Sequence, residues 1–123
     1  MNAHFDALLD EHANTLQRWV HEITQINERI ARLGLALGLH LERQADVQRV
    51  LNLEMGTLPQ DPTQAHRWRN EWVELRGLVV MRYQLEKNMS LSHGASTARE
   101  VLEASEAALV QKGFRPGQDG LPV

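Results

Sequence analysis

The side chains best suited to chemistry are six histidines: His4, His12, His21, His40, His66 and His93. A helix that holds a metal sets its ligands three or four residues apart, so that they share a face, as in H-E-x-x-H or E-x-x-H. None of the six has a histidine or carboxylate at that spacing on either side. The spacing therefore does not predict a zincin or a di-iron bundle. A phosphorylated helical histidine typically needs a lysine and a small residue shortly after it. None of the contexts His-Ala-Asn-Thr-Leu, His-Glu-Ile-Thr-Gln, His-Leu-Glu-Arg-Gln and His-Arg-Trp-Arg-Asn supplies that combination. Thiol catalysis, disulfides and cysteine-ligated metals are excluded, because the chain contains no cysteine. No Gly-rich phosphate loop, nucleophile elbow or Ser/His/Asp arrangement is present. The sequence thus predicts no catalytic residue, no metal ligand and no cofactor.

Arginine is the other candidate. Arg29, Arg32, Arg43 and Arg49 could bind a dicarboxylate inside a helical enzyme, but such a site also calls on lysine, and only Lys87 and Lys112 exist. The run His66-Arg67-Trp68-Arg69-Asn70-Glu71-Trp72 mixes cations with aromatics, as single-strand binders do. On a helix, however, Trp68 and Trp72 share one face, and Glu71 and Glu74 offset the arginines. Core tryptophans flanked by solvated arginines is the reading adopted. Trp72, with Trp19, is also a candidate interface anchor, since Trp and Arg are enriched at binding hot spots. The terminal Gly-Leu-Pro-Val could add to a sheet edge in a carboxylate-binding domain, but an extended tail is the simpler expectation.

These residues must be positioned by helices, and the stretch from Phe5 to His40 organises them. Leu9, Leu16, Ile23, Ile30 and Leu37 interleave with Phe5, His12, Trp19, Ile26, Leu33 and His40 at alternating steps of four and three. That is the a/d seam of a coiled coil. His12 and His40 occupy seam positions, where a buried imidazole would make association sensitive to pH near about 6. The plainer expectation is a partly exposed histidine tolerated there. A helix of this length, roughly 54 Å, cannot bury its stripe against itself.

Gly34 and Gly38 each cost about 1 kcal/mol inside a helix, yet the register continues through Val47 and Leu51. The expectation is a helix bent or locally broken at the glycines and ending near Met55. Gly56 to Pro62 is the clearest boundary, with Asp61 as a helix cap and Pro62 at the first helical position. The next helix is expected from Pro62 to Met89. Its apolar stripe is Ala65, Trp68, Trp72, Leu75, Val79 and Met89, broadened by Val73, Val80, Tyr83 and Leu85, with Arg82 and Glu86 paired outside. A connector over Ser90 to Ser96 should precede a last helix opened by a Thr97/Glu100 capping box and ended by Gly113 and Phe114.

The chain of 123 residues fits one domain, with a formal charge of −3, 42% hydrophobic and 24% charged residues. That balance argues against wholesale disorder, a dedicated nucleic-acid binder and a DNA mimic. No apolar run reaches membrane-spanning length, and no secretory signal is expected. A cytoplasmic location is expected.

The fold class predicted is all-α: an antiparallel helical bundle or long helical hairpin of three to four helices, with a coiled-coil-like first helix. Residues 1–112 should form one helical domain and 113–123 an extended tail. The expected function is a non-enzymatic protein–protein interaction module (adaptor, chaperone-like or regulatory), a homodimer joined through its first helix with an unknown protein partner. The expected interface comprises Leu9, Leu16, Trp19, Ile23, Ile26, Ile30, Leu33, Leu37 and Trp72. Two alternatives remain. One is a ligand-binding or enzymatic bundle around Arg29, Arg43, Trp68 and Tyr83. The other is a nucleic-acid accessory factor using Arg67, Arg69 and Arg76.

Overall fold

The protein, seen in a computed structural model, is described for residues 3–114, with side chains from residue 11 onward. Four helices and no strand occur among the described residues: α1 (Ala3–Ala36), α2 (Gln44–Leu51), α3 (Pro62–His93) and α4 (Ala95–Gln111). Arg29 meets Glu74 and Ile23 packs near Met89, so α1 and α3 run antiparallel. Thr24 meets Ser105 and Glu28 meets Lys112, so α4 runs parallel to α1. These three helices form an up-down-up bundle, and α2 packs against α3.

The glycines break the first helix rather than bend it. Gly38 adopts φ +70°, a left-handed conformation that carries no penalty without a Cβ. Around it, the Leu39 N–H donates to the Gly34 carbonyl at 2.8 Å and the Gly38 N–H to the Leu35 carbonyl at 3.2 Å. This is a Schellman cap, and its usual hydrophobic partner contact is present, because Leu39 and Leu33 share one buried cluster. The same cap ends α4. Gly113 has φ +97°, the Phe114 N–H reaches the Leu109 carbonyl at 3.1 Å, and Phe114 is buried with Leu109 and Ala31. After α2 the left-handed residue is Leu53, at φ 53°. The Glu54 N–H closes that cap on the Arg49 carbonyl at 2.8 Å.

Asp61 caps α3 as its sequence implies, accepting from the Gln64 N–H at 3.1 Å with Pro62 following. The expected connector over Ser90 to Ser96 contracts to Gly94. α3 continues through His93, and α4 starts at Ala95. Gly94, at φ +91°, makes the reversal, and no side chain caps α4. The Thr97/Glu100 capping box therefore does not form. The helix begins two residues before Thr97, and Thr97 lies within its first turn.

The main core joins Ile30 and Leu33 of α1, and Leu37 just past its end, to Val47 and Val50 of α2 and Trp72, Leu75 and Val79 of α3. Leu39 and Leu41, from the connector after α1, close it. Gly34 makes room for this return, since a Cβ there would sit 3.3 Å from Leu41 Cδ1. Burying each Leu, Ile or Val side chain of this kind contributes about 1.5–3 kcal/mol. Towards the other end, Ile23, Met89, Ala98 and Val101 form a second cluster flanked by Leu16, Trp19, Val20 and Leu102.

Candidate interaction surface

Most of the seam expected to join two copies lies inside one chain. Ile23, Ile30, Leu33, Leu37 and Trp72 are buried, and Leu16, Trp19 and Ile26 are half-buried against the same clusters. The Leu9 side chain lies outside the described ones. His12 and His40, though at seam positions, are exposed. Glu11, His12, Ala13 and Asn14 are all exposed, so α1 meets solvent around its whole circumference there.

Among the described side chains, most of the exposed large apolar ones lie instead on α3. Its inner face carries Ala65, Trp72, Leu75, Val79, Arg82 and Met89, all buried. Its outer face carries Val73, Val80 and Met81, which are 55%, 38% and 47% exposed, and Leu91 at 77%. Val73, Val80 and Tyr83 were expected to broaden the buried stripe. They face outward because α1 and α4 occupy only one side of α3, and only Leu85 of that set is half-buried. α3 is thus apolar on two opposite sides, and only one of them is covered by the described part of this chain.

Gly77 sits at the middle of that outer face. It is a helical glycine without positive φ, and a Cβ built on it would have no neighbour within 4 Å. Neither a turn nor close packing within the chain explains it, although glycine in a helix interior costs about 1 kcal/mol against alanine. Val73, Arg76, Gly77, Val80, Met81 and Gln84 line a shallow groove around it. Residues 70, 73, 77, 80, 84, 87 and 91 follow alternating steps of three and four, the spacing of a helix seam. That spacing was legible in the sequence, but the stronger stripe on the other face of the same helix obscured it.

The flanks of the outer face differ in charge. Arg69 and Arg76 lie on one side, and Glu74 lies on the other. Arg76 Nε donates to the Leu51 carbonyl at 3.0 Å, anchoring α3 to the end of α2. Glu74 accepts a forked contact from Arg29, with Nε at 3.1 Å and Nη2 at 2.9 Å. The hydrogen bond to Glu74 raises the Arg29 guanidinium above its ordinary value. Arg69 is exposed and makes no ion pair among the described residues.

The two alternative groupings are dispersed. Trp68 donates through Nε1 to the Met55 carbonyl at 3.3 Å and lines a groove with Pro59, Gln64 and Arg67. Arg29 borders a different groove with Gln25, Glu28 and Arg32, while Arg43 and Tyr83 are exposed. Of the three arginines considered for nucleic acid, Arg67 is tied to Glu71 at 2.9 Å and Arg76 to backbone. A separate cavity brings Thr15, Arg18, Trp19, Glu22 and His93 together near the end of α3. Arg82, expected outside and paired with Glu86, is 9% exposed and on the inner face, so no such pair forms.

Among the described residues, no group of three or more His, Cys, Asp or Glu side chains is placed to hold a metal ion. No helix among them is long and apolar enough to cross a membrane. Compared with protein-family models, curated proteins and solved structures, the chain matches none.

Proposed function

We propose that this chain is a non-enzymatic helical protein–protein interaction module of the adaptor or regulator class, and that the surface it offers is the outer face of α3. A cytoplasmic setting is part of this reading and rests on the cysteine-free sequence. The observation that carries the proposal is Gly77, an otherwise costly helical glycine with open space above it, bordered by exposed Val73, Val80 and Met81. A backbone left bare between apolar side chains suits the close approach of another helix. The seam of α1, by contrast, is mostly covered by the chain's own core.

The test is native mass spectrometry of untagged protein purified gently from its host, beside a Val73→Glu/Val80→Glu variant. The expected result is a stoichiometric protein companion on the wild type, lost from the variant without loss of helical circular dichroism. A monomer carrying a stoichiometric metal or small molecule, indifferent to both substitutions, would overturn the reading.

A further inference from the structure

We infer that the neighbour of this face is a second copy of the same chain, packed α3 against α3 in parallel about a two-fold axis, with Gly77 at the closest approach. The inference rests on the interaction-module reading and names its partner. Parallel two-fold packing brings each seam position opposite its own equivalent. Val73 then meets Val73, Val80 meets Val80, and the two Gly77 backbones face each other with nothing between them. Met81, exposed beside the seam, covers its edge.

Beside Gly77 charge favours the parallel arrangement over the antiparallel one, although the parallel pair also sets Lys87 opposite Lys87 towards the far end of the seam. In a parallel pair, the flank before one seam position faces the opposite flank of the partner helix, five residues further on. Arg69, without an ion-pair partner among the described residues of its own chain, thereby meets Glu74 of the second copy, and the contact occurs twice by symmetry. Glu74 is partly exposed and held in place by Arg29, so it is pre-positioned to take a second cation. Antiparallel packing would instead bring like flanks together and set the two Arg76 side chains beside each other near the axis. Asn70 occupies an inward-repeating seam position one step before Val73. There a pair of asparagines can hydrogen-bond across the axis and fix the register.

The absence of cysteine makes the geometry directly testable with single-cysteine variants of the purified chain. Sedimentation equilibrium of the wild type should show a monomer–dimer equilibrium, and Val80→Cys should oxidise to a covalent dimer. Gly77→Leu, whose side chain enters open space in the monomer, should weaken dimerisation at least about tenfold while leaving the circular dichroism unchanged. Arg69→Glu should weaken it too, and adding Glu74→Arg should restore it. A wild type that stays monomeric alone, yet carries a different protein on this face when taken from the host, overturns the second copy as occupant and leaves the interaction-module reading standing. A dimer in which Val80→Cys fails to cross-link and Gly77→Leu associates like the wild type overturns this face as the interface.

Discussion

Ser105 of α4 and Thr24 of α1 share a buried hydrogen bond of 3.1 Å between their hydroxyl oxygens. Thr24 Oγ1 also lies 2.6 Å from the Val20 carbonyl, which can only accept, so the single threonine proton goes there. Ser105 must then donate to Thr24, and it accepts from Asn27 Nδ2 at 3.4 Å. The result is a one-way relay from α1 through α4 and back to the α1 backbone.

Breaking that relay at its centre should be costly. Ser105 is fully buried, and Ser105→Ala leaves Thr24 without its donor and Asn27 without its acceptor. A loss of about 1–3 kcal/mol is expected in urea unfolding. Thr24→Val combined with Ser105→Ala should cost less than the sum of the single changes, because the second substitution removes a group already orphaned. Simple additivity would show that the two hydroxyls do not act together.

Glycine separates two roles that look alike in the sequence. Gly38→Ala forces a Cβ into left-handed backbone and should destabilise the chain by about 1–2 kcal/mol. Gly77→Ala places a Cβ in open space on regular helix and should stabilise the isolated chain by about 1 kcal/mol. Denaturant titrations at concentrations too low for association should therefore give shifts of opposite sign. A destabilising Gly77→Ala would mean that its backbone is strained or closely covered within the chain.

Local signals explain most of the sequence's success and failure. Asp61-Pro62 was legible because a cap needs only neighbouring residues. Gly113-Phe114 was legible for the same reason. Gly34 and Gly38 marked the disturbance, but bend and break differ only in whether Leu39 and Leu41 fold back onto Leu33, a tertiary choice. The apolar positions of the α1 seam from Leu16 to Leu37 are buried or half-buried, but periodicity carries no information on which helix does the burying. Val73 and Val80 were assigned inward because two apolar stripes on one helix merge into a single wide face when counted by composition. Arg82 was assigned outward by its charge, although its position, three residues after Val79 and seven before Met89, puts it on the inner face.

Glu28 links α1 to the end of α4. Its carboxylate accepts from Lys112 Nζ at 2.9 Å and from Arg32 Nη2 at 3.0 Å. These hydrogen bonds, Lys112 first, hold its pKa below the ordinary value of 4.5. A lowered folded-state pKa contributes stability that is present above the unfolded value and lost as pH falls through the folded one. Glu28→Gln should therefore be less stable than wild type at neutral pH, by at most about 1 kcal/mol for so exposed a cluster. The gap should close on acidification below 4.5 and shrink in high salt. Thermal melts across that range check the sign, and a gap that widens in acid would contradict it.

Arg82 is the least comfortable residue of the core. Its Nε is buried without an acceptor, its side chain makes no ion pair among the described residues, and its guanidinium carbon lies 6.0 Å from the Tyr83 ring centroid, a weak contact. An unsatisfied buried donor costs about 1–3 kcal/mol, whereas the arginine stem contributes the same packing as any unbranched chain. Methionine matches that stem and carries no donor. Arg82→Met should therefore raise the unfolding free energy by about 1 kcal/mol, read as a higher urea midpoint at unchanged slope. Arg82→Ala should lower it, because the stem is lost along with the charge. If Arg82→Met were destabilising to the same degree as Arg82→Ala, the guanidinium itself would be a stabilising part of the bundle, and its partner should be sought on the faces of α1 and α4 that meet α3.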